Sequence, residues 1–221
     1  MAHDDPRRAG RRPAAGAPDV DQTAGMRSSG GAGRPRVVIV TGEPGSGKST
    51  LGAELARALR VPFLARDDVR GGMFLTAGAW TGSPFQVPDA LHAVDAFLGI
   101  VEAMAAAGVS CVVEYVVRRA RPQDLDRLTA VGDCVVIVAS CADASERVAR
   151  RNVADRLLTQ DGVLDALGFV SIDDHTAAAV TRANEVRDAM RTEFDLPVLH
   201  VRTDAGYHPG LEEIIDFATR P

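Results

Sequence analysis

The stretch "RVVIVTGEPGSGKSTLGAELARAL", residues 36–59, constrains the fold more than any other part of the chain. It joins a β-branched apolar run, a glycine-rich turn, and a pattern with Leu51, Leu55 and Leu59 at helical spacing. The run "RVVIVT" reads as a strand buried on both faces. The turn "GEPGSGKS", Gly42 to Ser49, fits G-x-x-x-x-G-K-[ST] at every position, after a strand and opening a helix. Gly42, Gly45 and Gly47 let the backbone curl so that its amides converge on phosphate oxygens. The helix N-terminus adds its partial positive charge. Gly42, Glu43, Pro44, Gly45, Ser46, Gly47, Lys48, Ser49 and Thr50 are therefore the candidate nucleotide-binding residues. Ser49 is a candidate Mg2+ ligand, and Lys48 reaches for the β and γ phosphates of ATP or GTP. Lys48 is the single lysine of the chain; every other basic side chain counted with it is arginine. A compact ammonium suits a tight ring of amides, where a planar guanidinium does not.

Beyond the loop, apolar runs alternate with helical patterns. Strands are predicted at Val61–Ala65, Val109–Val117, in "CVVIVAS" and in "LPVLHVRT". Helices are predicted at Pro88–Gly108, in "RPQDLDRLTAVG", in "DASERVARR", in "DDHTAAAVTRANEVRDAMRTEF" and in "PGLEEIIDFAT". Residues 67–88 are broken by glycine and proline and read as a broken helix and loop. Doubly buried strands joined by helices give an α/β fold, a parallel sheet with helices on each side. Ligands of such folds sit at the carboxyl ends of the strands.

Residues 1–34 lack hydrophobic periodicity and read as a disordered tail, with Met26 as an alternative start. They hold six arginines and four aspartates, which leaves 19 basic and 26 acidic residues for residues 35–221. An acidic body argues against a protein that grips long nucleic acid by its phosphates. No apolar run reaches membrane-spanning length. Cys111, Cys134 and Cys141 are odd in number and lie in or beside apolar runs, which suits buried thiols in a reduced, cytoplasmic protein.

After the second predicted strand comes "RDDVR". Transfer of a phosphoryl group to an alcohol needs an acceptor oxygen held in line, and a carboxylate to take its proton. Asp67 or Asp68 suits that role; the other is left to cap the next helix or to hold Mg2+ through water. Arg70 is placed to bind the acceptor or the transferring group. A helix cap with a surface arginine is the competing reading. Arg147, Arg150 and Arg151 share one helical face, with Arg156 beyond; two or more of the four read as surface charge. His175 reads as a helix-start residue. Tyr207 and His208 follow the last predicted strand and either border a base or form a plain turn.

"GEPGSGKST" followed by "RDDVR" resembles the P-loop kinases related to phage polynucleotide kinase, chloramphenicol phosphotransferase and the zeta toxins. That resemblance implies a three-layer α/β/α P-loop fold with a five-stranded parallel sheet in the order 2-3-1-4-5 and a mobile lid at about 150–172. It implies Asp67 as general base, Arg70 on the acceptor, and Arg151 and Arg156 as lid cations on the nucleotide. Members of the group often end the third strand with aspartate. Here Glu114 stands there, a candidate for Mg2+ through water or for the acceptor; strand-end capping or pairing with Arg118 or Arg119 is the alternative. An insert at about 70–100, with Phe74, Trp80 and Phe85, is the candidate acceptor pocket, with ordinary core as the alternative. The function implied is an ATP-dependent kinase, with Mg2+, acting on a small-molecule hydroxyl such as a nucleoside, sugar or antibiotic-like metabolite. A nucleic-acid 5'-hydroxyl kinase and a non-catalytic nucleotide-binding regulator are the alternatives.

Overall fold

Strand β1 (Arg36–Gly42) is buried along nearly its whole length because both of its faces are covered. Val37 and Ile39 point to one face of the sheet, and Val38 and Val40 to the other. This period-two alternation, with apolar residues on each side, is what a continuous β-branched run encodes. The computed structural model describes residues 33–76, 90–143 and 172–220.

The elements follow in chain order. After β1 come α1 (Lys48–Leu59), β2 (Phe63–Ala65), α2 (Arg66–Thr76) and α3 (Ala90–Ala106). Then come β3 (Cys111–Glu114), α4 (Pro122–Val131) and β4 (Asp133–Ser140). The chain closes with α5 (Ile172–Ala189), β5 (Val198–Arg202) and α6 (Leu211–Thr219). The five strands are parallel in the order β2-β3-β1-β4-β5, which agrees with the order that the family resemblance implies.

Two cores flank the sheet. On one side Phe97, Leu98 and Val101 of α3 and Leu125 and Leu128 of α4 pack on Val37, Ile39, Val113 and Val136. On the other, Leu51 and Leu55 of α1 and Ile214 and Ala218 of α6 pack on Val38, Val40, Ile137 and Val201. Burying each such aliphatic or aromatic side chain contributes about 1.5–3 kcal/mol. Arg127 of α4 grips Glu102 of α3 through two hydrogen bonds of 2.6 and 2.9 Å. Asp124, 1% exposed, accepts two hydrogen bonds from Arg121 and one from the Tyr115 hydroxyl. The three cysteines are buried and form no disulfide.

Several boundaries differ from the sequence reading, and the backbone explains each. Val61 is outside β2 because its amide donates to Ala56 and closes the end of α1. Val109 is outside β3 because its amide donates to Met104 and closes α3. Beyond Glu114 the chain leaves the ladder, and the Val117 amide donates instead to the Thr41 hydroxyl. Helix α5 stops at Ala189, short of the predicted Phe194, because Met190 bridges to Arg118. Helix α2 follows β2 directly and ends at Thr76, within the stretch expected to be a broken helix and loop; residues 77–89 of that stretch lie outside the described residues. The tail to residue 32, Trp80, Phe85, the "DASERVARR" helix from residue 144 and the lid to residue 171 lie outside the described residues.

Candidate active site

The glycine-rich loop joins the carboxyl end of β1 to the start of α1. Gly42 has φ +142°, and Gly45 and Gly47 have φ +81° and +79°. These values belong to glycine, and they turn the chain tightly enough to enter α1 at Gly47. A Cβ at Gly42 would lie 2.1 Å from the carbonyl oxygen of Ala139, so the loop sits hard against the end of β4. From behind, the Thr203 hydroxyl donates to the Ser46 carbonyl at 2.8 Å, with the Ser140 carbonyl 3.1 Å away as a second acceptor. Thr203 thus ties the loop to the ends of β4 and β5. Ser46 Oγ is buried with no hydrogen-bond partner among the described residues. Such an orphan costs about 1–3 kcal/mol, which marks the loop as shaped for something other than stability.

Lys48 is 7% exposed, and its Nζ donates to the carbonyl of Glu43 at 2.8 Å. The ammonium therefore lies across the mouth of the loop. Glu43 in turn faces Arg187 near the end of α5, with Nη1 3.8 Å from Oε2.

Glu114 ends β3, in register with Val40 of β1 and Ala65 of β2. Its half-buried carboxyl is bonded to Ser49 and close to Lys48. Burial pushes the carboxyl above its ordinary value; Lys48 and the Ser49 bond pull it down, and Asp67 and Asp68 add to the rise. The two aspartates open α2 immediately after β2, near enough to Glu114 for their charges to act on its carboxyl. The Asp67 side chain is 75% exposed and bonds Arg66 at 2.9 Å. Arg70 follows one turn along α2 and is half-buried. Among the described residues no group of three or more His, Cys, Asp or Glu side chains is arranged to hold a metal alone. Ser49 with a carboxylate at the adjacent strand end fits Mg2+, which keeps waters and is shared with phosphates.

One hollow borders the loop and another lies between α2 and α3. The first, about 340 Å3, is lined by Gly47, Thr50, Glu54, Thr203, Gly206 and Tyr207. Burial and a hydrogen bond to Glu54 push the Tyr207 hydroxyl up to about 12. Tyr207 therefore borders a hollow beside the phosphate loop, while His208 donates to and accepts from the backbone of Arg202. The second, about 530 Å3, is an open groove between α2 and α3, lined by Val69, Gly72, Met73, Thr76 and Ile100.

The structure thus sets Glu114 beside Lys48 and Ser49 of the loop, with Asp67 and Asp68 acting on Glu114 from the start of α2. Arg147, Arg150, Arg151 and Arg156 lie outside the described residues, as do the side chains of Phe74 and His175; His175 sits in the first turn of α5. Thr41, Thr203 and Arg187 enter the site without a sequence signal. Each acts through a contact with a residue distant along the chain.

A family model described as AAA domain matches residues 37–169, more than half of the chain. No curated protein sequence matches it. Among solved structures, a provisionally assigned kinase from Chloroflexus aurantiacus is similar at 22% identity, over 83% of this chain and 96% of that one, with a TM-score of 0.61. The APS kinase CysC of Mycobacterium tuberculosis, solved with AMPPNP and APS, is similar at 17% identity, over 85% of this chain and 99% of that one, with a TM-score of 0.53. These likenesses establish a P-loop kinase fold. Among the described residues no helix is long and apolar enough to cross a membrane.

Proposed function

Because the chain belongs to the AAA domain family, we propose that it is a kinase that transfers the γ-phosphoryl group of ATP to a hydroxyl of a small molecule. The observation that carries this reading is the convergence of three strand ends. The phosphate loop with Lys48 follows β1, Glu114 ends β3 beside Ser49, and Asp67 and Asp68 follow β2. A loop alone serves switches and motors as well. Carboxylates beside its mouth favour transfer to an acceptor.

The division of labour is as follows. The loop amides and Lys48 hold the phosphates, and the hollow at Thr50, Thr203 and Tyr207 takes the base. Ser49, Glu114 and Asp68 are the residues that would hold Mg2+, the two carboxylates through water, and the ion would supply charge neutralisation on the phosphates. Asp67 takes the acceptor's proton as its oxygen bonds to the γ-phosphorus. The bond from that phosphorus to the bridging oxygen breaks, and ADP leaves. Arg70 and Glu114 orient the acceptor. Arg151 and Arg156, outside the described residues, are assigned to the nucleotide on the family resemblance alone. Such a reaction relies mainly on positioning and electrostatics. The α2–α3 groove supports an acceptor with an apolar portion, within the insert at about 70–100.

The test is ADP release from ATP with a panel of sugars, nucleosides, antibiotic-like alcohols and 5'-hydroxyl oligonucleotides. Turnover that depends on a small alcohol and disappears in Lys48→Ala is expected. Preference for oligonucleotides would move the assignment to nucleic-acid ends. ATP binding without turnover on any acceptor would make the protein a nucleotide-binding regulator.

A further inference from the structure

Two cations rest on one residue of the phosphate loop. Lys48 donates to the backbone carbonyl of Glu43, and Arg187 pairs with the Glu43 carboxylate. Glu43 directly follows Gly42, so its side chain, 19% exposed, stands at the rim where the loop opens. Arg187 belongs to the last turn of α5, where a cation also complements the helix dipole.

The end of α5 is anchored. The Arg119 amide donates to the Ala189 carbonyl at 3.0 Å, and the Arg191 amide donates to the Val117 carbonyl at 2.8 Å. The Arg119 Nε donates to the Met190 carbonyl at 2.9 Å. These bonds tie the α5 terminus to the segment that follows Glu114. The guanidinium is further steadied by Asn184, which accepts from Nη2 at 2.7 Å. A cation is therefore held near Glu43 by a helix end whose backbone is tied to the segment just after β3.

A carboxylate and a phosphate are both planar or tetrahedral oxyanions that a guanidinium binds, and the phosphate carries more charge. We propose that Arg187 is a nucleotide-contacting residue: it pairs with Glu43 as seen here and turns to the γ-phosphate when a nucleoside triphosphate occupies the loop. Glu43 is then the placeholder that both Lys48 and Arg187 exchange for phosphate oxygens. The inference rests on the reading of the loop as an ATP site.

Calorimetric affinities for ATP and ADP in the wild type, Arg187→Gln, Arg187→Lys and Glu43→Gln test it. Arg187→Gln is expected to weaken ATP about tenfold and ADP less than twofold, the loss of one charge-assisted contact. Arg187→Lys recovers part of the difference, because it keeps charge without the fork. Glu43→Gln removes the carboxylate that competes for Arg187 and is expected to raise the ratio of ATP to ADP affinity. Equal weakening of ATP and ADP in Arg187→Gln would make Arg187 a structural strut, and so would a loss in Glu43→Gln as large as in Arg187→Gln. An unchanged ATP-to-ADP ratio in Arg187→Gln, with the wild type binding ATP, would overturn this inference alone. A wild type that binds neither nucleotide would sink the ATP-site reading and the inference together.

Discussion

Gly42 and Ala139 stand so close that a single methyl group cannot be placed between them: the Cβ of an alanine at 42 would lie 2.1 Å from the Ala139 carbonyl oxygen. The phosphate loop is therefore set by the end of β4 as well as by its own glycines. Gly42→Ala adds this clash to a positive φ that costs about 1–3 kcal/mol in such cases. We expect Tm to fall by roughly 2–10 °C and ATP affinity to be lost. Normal ATP binding by a folded Gly42→Ala protein would contradict the close approach.

The two aspartates of α2 are distinguishable by amide substitution, which keeps shape and removes the base. Asp67→Asn is expected to retain ATP binding and to lower kcat by about 10²–10⁴. Asp68→Asn should cost less and should raise the Mg2+ concentration needed for half-maximal rate. If Asp68→Asn is dead while Asp67→Asn turns over normally, the assignment of the base is reversed.

Glu114 gives a pH signature with opposite signs for stability and rate. Burial holds its carboxyl above the ordinary 4.5, so the native state keeps that proton to higher pH than the unfolded chain does. The native state thus binds more protons between the two values. This group's contribution to stability is complete below the unfolded value and is lost as pH rises through the folded one. Replacement by Gln removes the dependence. The Tm of Glu114→Gln relative to wild type should be more favourable at pH 8 than at pH 4. Turnover in the wild type should rise across the same window, as the carboxylate that serves Ser49 becomes charged. A wild-type rate that is flat from pH 5 to 8 would remove Glu114 from the reaction.

Asp124 tests the support beneath the site. It accepts from Arg121 and from Tyr115, the residue after Glu114, and it is nearly fully buried. Removing one partner of a buried ion pair costs about 3–5 kcal/mol. Asp124→Ala should lower the urea midpoint strongly, and Tyr115→Phe should do so by a smaller amount, about 1–3 kcal/mol. Equal, negligible effects would mean that water replaces the network without cost.

The β1–loop–α1 unit was legible because its signals are local: a two-residue alternation, fixed glycine positions and a helical spacing of leucines. The sheet order β2-β3-β1-β4-β5 carries no local mark and was legible only through the family resemblance. Glu114 was legible as a strand-end carboxylate. Its strand was drawn too long because "EYVV" continues the apolar run, whereas the chain there leaves the ladder for Thr41. Helix α5 was drawn too long for the mirrored reason: "MRTEF" has no breaker, and its end is set by a bridge to Arg118. Arg187 has no local mark among two dozen arginines, and its meaning comes from a contact with Glu43 across most of the domain. Thr203 is likewise an ordinary threonine until β5 brings it behind Ser46.

The cysteines give the fold a built-in clock. Cys111 sits in β3, Cys134 in β4 and Cys141 just past the end of β4, all buried. Burial pushes the Cys111 thiol up to about 11 and Cys134 up to about 12. Because only a thiolate reacts, a thiol-directed dye must wait for the central sheet to part. The labelling rate of Cys111 and Cys134 in native buffer then counts openings of the sheet itself, separately from any rearrangement at the nucleotide loop.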